Sequence, residues 1–262
     1  MQAEKVADHI TGWLGEYTRK AGMKGFVVGV SGGIDSAVVS SLCARTGLPT
    51  LVVEMPIHQS PDQVTRARAH IANLTARHPN VEGAEVDLTE PYDRLVNALP
   101  NSPDSPSRDM ALVNTRARLR MTTLYYLAGL HGSLVAGTGN KVEDFGIGFY
   151  TKYGDGGVDL SPIADLMKTD VFALGRVLGV GEAILKAAPT DGLWGDARTD
   201  EDQIGASYPE LEWAMTFSGD EAALTKRQTE VLAIYRRLNA ANRHKMEPIP
   251  VCLIPETLRR PA

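Results

Sequence analysis

Apolar positions along the chain switch between two rhythms. Residues 3–20 space them as on one face of a helix, with Val6, Ile10, Trp13 and Leu14 on a single stripe. After Gly22 and Gly25, Phe26-Val-Val-Gly-Val30 forms a short unbroken apolar run, the pattern of a strand buried on both faces of a parallel sheet. Helical spacing returns from Ala37 to Ala44. Pro49 to Met55 then reads as a second strand, about 61–76 as a polar helix, and Val81 to Val86 as a third strand. The string PNSPDSP at 100–106 is dense in turn formers and predicts a surface loop. A long helix is expected from Arg108 to Ala128, a fourth strand from Ser133 to Ala136, and an ordered glycine-rich loop over 146–162. Met167, Val171, Leu174 and Leu178 mark one face of a further helix. The last third reads as helical to Asn239, where Pro248, Pro250 and Pro255 then predict an extended tail. Strands alternating with helices imply an α/β fold with a doubly wound parallel sheet flanked by helices and a helical C-terminal region. One domain is expected over 1–262, with residues 189–202 as a long mobile loop inside it.

Composition narrows the class. Hydrophobic residues make up 43% and charged residues 23% of the 262, the profile of an ordinary soluble globular chain. A net charge of −5 argues against a general nucleic-acid or membrane-surface binder, because no phosphate-neutralising face is implied. Only Cys43 and Cys252 occur, far apart, so neither a disulfide framework nor a structural zinc site is expected. With no signal-peptide pattern at the N-terminus and no long apolar run, the expected setting is cytoplasmic.

Chemistry enters at Gly29-Val30-Ser31-Gly32-Gly33-Ile34-Asp35-Ser36, between the first strand and the next helix. In parallel sheets, ligands sit beyond the carboxyl ends of the strands, where this turn falls. Paired glycines let the backbone curl round an anion, and the free amides of a helix start point at it. No GK[ST] ending follows, so this is not a Walker A loop. Asp35 would repel a phosphate unless a divalent cation lay between them, and Mg²⁺ commonly sits between carboxylates and phosphates. The plainer role for Asp35 is capping the helix.

The SGGIDS string resembles the loop of the ATP pyrophosphatases, which cleave ATP between the α and β phosphates to adenylate a carboxylate, carbonyl or urea-like oxygen. Four further segments resemble the ammonia-dependent NAD synthetases within that group. They are Asn114-Thr-Arg-Ala-Arg-Leu-Arg-Met121, Gly137-Thr-Gly-Asn-Lys-Val-Glu143, Tyr150-Thr-Lys-Tyr-Gly-Asp-Gly-Gly-Val-Asp159, and Lys168 with Thr190. KYGDGG is the most specific of these strings, and the likeness runs from about residue 4 to 254.

The resemblance implies a fold of the adenine nucleotide alpha hydrolase type. It also implies ATP-dependent amidation of nicotinic acid adenine dinucleotide (deamido-NAD) with ammonia through an adenylated carboxylate. ATP would be the cosubstrate, held by the 29–36 loop with Thr138, Lys168 and Thr190. Mg²⁺ would lie on Asp35 and Glu143. Deamido-NAD would meet Arg118, Lys152, Asp159, His244 and Lys245. Asp155 and Lys168 would be catalytic, with Asp155 where ammonium binds. A homodimer is implied, and the glutaminase domain of glutamine-dependent relatives is not expected. Two departures stand out: Gly139-Asn140 replaces an Asp-His of many bacterial members, and the stretch from Glu143 to Lys152 is one residue longer, which leaves the alignment of Asp144 and Phe145 open. The segment 191–205, rich in glycine and charge and next to Thr190, is expected to close over ATP. A nucleotide or tRNA thiolase or amidotransferase, or a non-catalytic nucleotide sensor, would share the loop.

Overall fold

The computed structural model describes residues 1–190 and 199–259. Helix α1 (Ala3–Lys20) leads into β1 (Phe26–Gly29), α2 (Ile34–Arg45), β2 (Thr50–Glu54), α3 (Pro61–Arg77) and β3 (Val81–Glu85). Next come α4 (Thr89–Ala98), α5 (Pro106–His131) and β4 (Leu134–Val135), then a π-helix over Val142–Ile147. The chain continues through α6 (Lys168–Val177), α7 (Glu182–Leu185), α8 (Asp200–Ile204) and α9 (Tyr208–Thr216). A 3₁₀ turn at Glu221–Ala223 precedes α10 (Lys226–Met246) and α11 (Glu256–Arg259).

The four strands are parallel in the order β3-β2-β1-β4. The chain winds outward from β1 to β3 and then returns to place β4 on the other side of β1. That reversal opens a crevice beside the carboxyl end of β1. Successive side chains alternate across the sheet, so each face gathers its own apolar cluster. Phe26, Val28 and Val52 pack with α1, α2, α3 and α6 through Leu14, Leu42, Leu74 and Leu174. Val27, Val53 and Val135 pack the opposite face with Tyr92 of α4 and Ala128 of α5. Both faces are covered, which explains the unbroken apolar runs. A third cluster joins the π-helix to α8, α9 and α10 through Val142, Ile147, Ile204, Leu211 and Leu232.

Local signals set the boundaries. Helix α5 starts on Ser105, whose Oγ accepts from the amide of Arg108 at 3.2 Å, and stops at Gly132, where φ is 63°. Four expectations are corrected. Helix α4 had no sequence forecast, although Leu88, Tyr92, Leu95, Val96 and Leu99 fall at helical spacing; Pro91 in its first turn, a breaker in a helix interior, is tolerated there. The loop forecast over 146–162 begins instead inside the π-helix, which ends at Ile147. Of the loop forecast over 189–202, residues 191–198 lie outside the described residues. The part from Asp200 is helical, begun by Thr199, whose Oγ1 accepts from the amide of Asp202 at 3.1 Å. Helix α10 runs past Asn239 to Met246, because no proline interrupts it before Pro248.

Candidate active site

The crevice beside β1 opens into a cavity of about 260 Å³ reaching from the 29–36 loop to Thr138, Asp155 and Thr190. Its floor is the turn between β1 and α2. Gly32 takes φ +80°, and a Cβ there would lie 2.6 Å from the Gln63 carbonyl, so both the backbone angle and the space require glycine. Ser36 Oγ accepts from the Ser31 amide at 3.2 Å and donates to the Gly33 carbonyl at 3.1 Å, which locks the turn. The first helical bond of α2 runs from the Ala37 amide to the Gly33 carbonyl. The amides of Ile34, Asp35 and Ser36 therefore precede the helical ladder and face an incoming anion.

Charge is concentrated just above that floor. Lys168, the first residue of α6 and only 3% exposed, donates from Nζ to Asp35 Oδ2 at 2.6 Å and to Glu143 Oε1 at 2.8 Å. Asn140 Nδ2 donates to the other Asp35 oxygen, Oδ1, at 3.0 Å. Asn140 Oδ1 accepts from the amides of Val142 and Glu143, each at 3.1 Å. One side chain thus ties the start of the π-helix to the phosphate loop. Burial works against all three charges. At Lys168 the two carboxylates outweigh it and hold the ammonium above its ordinary pKa. At Glu143 the lysine, Tyr208 and Asn140 outweigh it, so the carboxyl is held below its usual range. At Asp35 burial prevails over Lys168, Glu143 adds repulsion, and the pKa rises.

The next residue behaves differently. Burial, then Glu143, Asp155 and Asp35, push Asp144 up to about 8. Its carboxylate lies over the bare backbone of Gly139, and a Cβ at that position would collide with both carboxylate oxygens. Asp155 accepts from the Thr151 amide at 2.9 Å, and the protein packed round its carboxyl pushes it up to about 6 although it opens toward the cavity. Tyr153 in the same KYGDGG turn takes φ 62°, a left-handed conformation uncommon for a bulky residue.

The remaining sequence candidates form a second group at the far end of α5. Arg118 donates from Nε and Nη2 to the Lys152 carbonyl, both at 3.3 Å, and Lys152 Nζ reaches the His244 carbonyl at 2.6 Å. Lys245 Nζ donates to the carbonyls of Gly148 and Tyr150 at 2.8 and 2.9 Å. Asp159 accepts from the Val135 amide at 2.8 Å and from the Tyr125 hydroxyl at 3.0 Å. Lys152 and Lys245 clamp α10 against the glycine-rich turn and Arg118 ties that turn to α5, whereas Asp159 is held apart from them by β4 and α5. Tyr208 and Asn140 had no assigned role in the sequence reading. A lone tyrosine in a helix start and an asparagine after glycine carry no signal by themselves; only the fold places them on the charged group.

A phosphate-cradling turn at the sheet's switch point, with a lysine and two carboxylates above it, defines an α/β nucleotide-binding protein built to manage polyphosphate charge. A sequence model described as NAD synthase matches residues 6–248. The NH(3)-dependent NAD(+) synthetase of Carboxydothermus hydrogenoformans is 40% identical over 244 residues, 92% of this chain and 94% of the relative. Among solved structures, an NMN synthetase from Francisella tularensis superposes with a TM-score of 0.85 at 30% identity, covering 98% of this chain and 99% of that one. An NH3-dependent NAD synthetase from Campylobacter jejuni gives 0.76 at 27% identity, covering 97% and 100%. The chain belongs to the NAD synthase family.

Proposed function

We propose that the protein amidates the nicotinate carboxylate of deamido-NAD with ammonia, consuming ATP and releasing NAD, AMP and pyrophosphate. The observation that carries this reading is one cavity holding the phosphate turn, Asp35, Glu143, Lys168 and Asp155 together. In the first step a nicotinate oxygen attacks the α-phosphorus of ATP, and the bond to the β-phosphate oxygen breaks. The amides at the start of α2 and the Lys168 ammonium take up the charge of the departing pyrophosphate, with Thr138 and Thr190 on the cavity wall beside it. In the second step ammonia attacks the acyl carbon of the adenylated carboxylate, AMP leaves, and a proton is lost. Asp155 holds ammonium and accepts the proton whose loss makes it ammonia, and the second proton, lost as the amide forms, passes to solvent. Arg118, Lys152, Asp159, His244 and Lys245 form the surface on which the dinucleotide lies.

Asp35 and Glu143 suit a hard cation: they share one ammonium at 2.6 and 2.8 Å, so their oxygens already converge on a positive charge. Mg²⁺ held there would neutralise phosphate charge as the pyrophosphate departs. Residues 191–198 of the segment expected to close over ATP lie outside the described residues.

Ammonia as the nitrogen source accords with the cysteines. Cys43 is fully buried and burial pushes its thiol well above its ordinary pKa, the opposite of a nucleophilic cysteine's environment, while Cys252 is exposed. No helix of the described residues is long and apolar enough to cross a membrane, and both cysteines are free, which suits cytoplasm. The likeness to an NMN synthetase favours a second reading, in which nicotinic acid mononucleotide is the acceptor. A single assay separates these readings from each other and from a thiolase or sensor: pyrophosphate release from ATP with each acceptor, with ammonium or glutamine. Deamido-NAD with ammonium is expected to give NAD. Faster turnover with the mononucleotide would establish the second reading, and equal turnover with glutamine in ammonia-free buffer would remove ammonia as the specific donor.

The active assembly is a homodimer in this reading. Tyr126 and Leu130 of α5, one turn apart on the same face, are 68% and 58% exposed, apolar side chains that association would cover. Sedimentation at micromolar concentration is expected to show a dimer; a fully active monomer would refute it.

A further inference from the structure

The charged group has one member that the reaction as described does not use. Tyr208, the first residue of α9, is 4% exposed and lies under the Lys168 ammonium, whose Nζ is 4.7 Å from the ring centroid. Its Oη is 2.5 Å from Glu143 Oε1 and 3.1 Å from Asp200 Oδ2. One hydroxyl carries one proton, and the 2.5 Å separation from a carboxylate is that of a charge-assisted bond, so the proton goes to Glu143. Lys168 reaches the same oxygen. Both donors therefore load Oε1, and the Asn140 amide beside them also favours the carboxylate.

We infer that Tyr208 is a positioning residue for cation binding: with Lys168 it pins Oε1 of Glu143, which fixes the plane in which the carboxylate would meet the metal. This rests on Asp35 and Glu143 being the cation ligands. Without the hydroxyl the carboxylate is free to turn about its last bond, and the ring still fills its place. The effect falls on the cation and on neither the packing nor the phosphate turn. Partners of this kind, bonded to a ligand and not to the metal, commonly alter metal affinity by about ten- to a hundred-fold.

The test compares Tyr208→Phe with the wild type, using Mn²⁺ as the probe. Mn²⁺ binding to the full chain with a non-hydrolysable ATP analogue is read from water-proton relaxation, beside the Mg²⁺ dependence of turnover. Tyr208→Phe is expected to bind Mn²⁺ about ten-fold more weakly and to need correspondingly more Mg²⁺, while kcat at saturating Mg²⁺ is retained. Asp200→Asn keeps the short bond to Glu143 and is expected to bind Mn²⁺ like the wild type. Unchanged Mn²⁺ affinity in Tyr208→Phe overturns the inference, as does an equal loss in Asp200→Asn. A wild type that holds no Mn²⁺ overturns the ligand reading beneath it.

Discussion

Lys168→Met is expected to lose about 3 kcal/mol of stability and at least a hundred-fold in amidation rate. The two losses have separate origins. Lys168 is buried between Asp35 and Glu143 at 2.6 and 2.8 Å, and its removal leaves two carboxylates facing each other without a cation. Breaking a buried ion pair from one side typically costs about 3–5 kcal/mol. The lower end applies because Asp35, already raised by burial, takes up a proton more readily than an ordinary aspartate. The rate loss follows from removing a positive charge preorganised beside the leaving pyrophosphate, where single donors are worth about 10²–10³. Urea unfolding in the absence of nucleotide checks the first loss, and pyrophosphate release at saturating ATP checks the second. Wild-type stability in the variant would show that the three charges do not depend on one another.

Asp35→Ala and Glu143→Ala are each expected to remove most of the activity, by about a hundred-fold or more, while the fold survives. Neither side chain belongs to an apolar cluster, and in each variant the lysine keeps one carboxylate. The loss is expected in the Mg²⁺-dependent step, so neither variant should recover at high ammonium. An unchanged rate with unchanged Mg²⁺ dependence in either variant would mean that its carboxylate serves only the ion pair with Lys168.

Strands β1, β2 and β4 were legible because they are short, largely buried apolar runs next to glycine or proline, whereas the edge strand β3, Val81–Glu85, is mostly exposed and polar. The phosphate turn was legible because its chemistry lies in one contiguous string, Ser31 to Ser36. Lys168, Glu143 and Asp35 were found through separate strings, but no spacing says that an ammonium sits between two carboxylates 108 residues apart in the sequence, Asp35 and Glu143. Asn140 and Tyr208 were missed for the same reason: their role exists only where the π-helix, α6 and α9 converge. Helix α4 carries a readable stripe in Leu88, Tyr92, Leu95, Val96 and Leu99, but it is only ten residues long and has Pro91 in its first turn. The end of α10 was misplaced because Asn239 is only a weak helix breaker, while its Nδ2 bonds the Gly146 carbonyl at 2.8 Å and fastens the helix to its neighbour.

The π-helix sets the bearing on which the chain leaves Glu143 for the KYGDGG turn. In an α-helix each residue advances the azimuth by about 100°, so an inserted residue would rotate everything downstream and swing the KYGDGG turn off the cavity. A widened turn takes in the extra residue as girth. The strand of structure after Gly148 then resumes on its former bearing, with Asn242 holding the Ile147 carbonyl at 2.8 Å and Lys245 holding that of Gly148. Asp144 becomes the residue turned inward by that widening, over a backbone that glycine at 139 leaves bare.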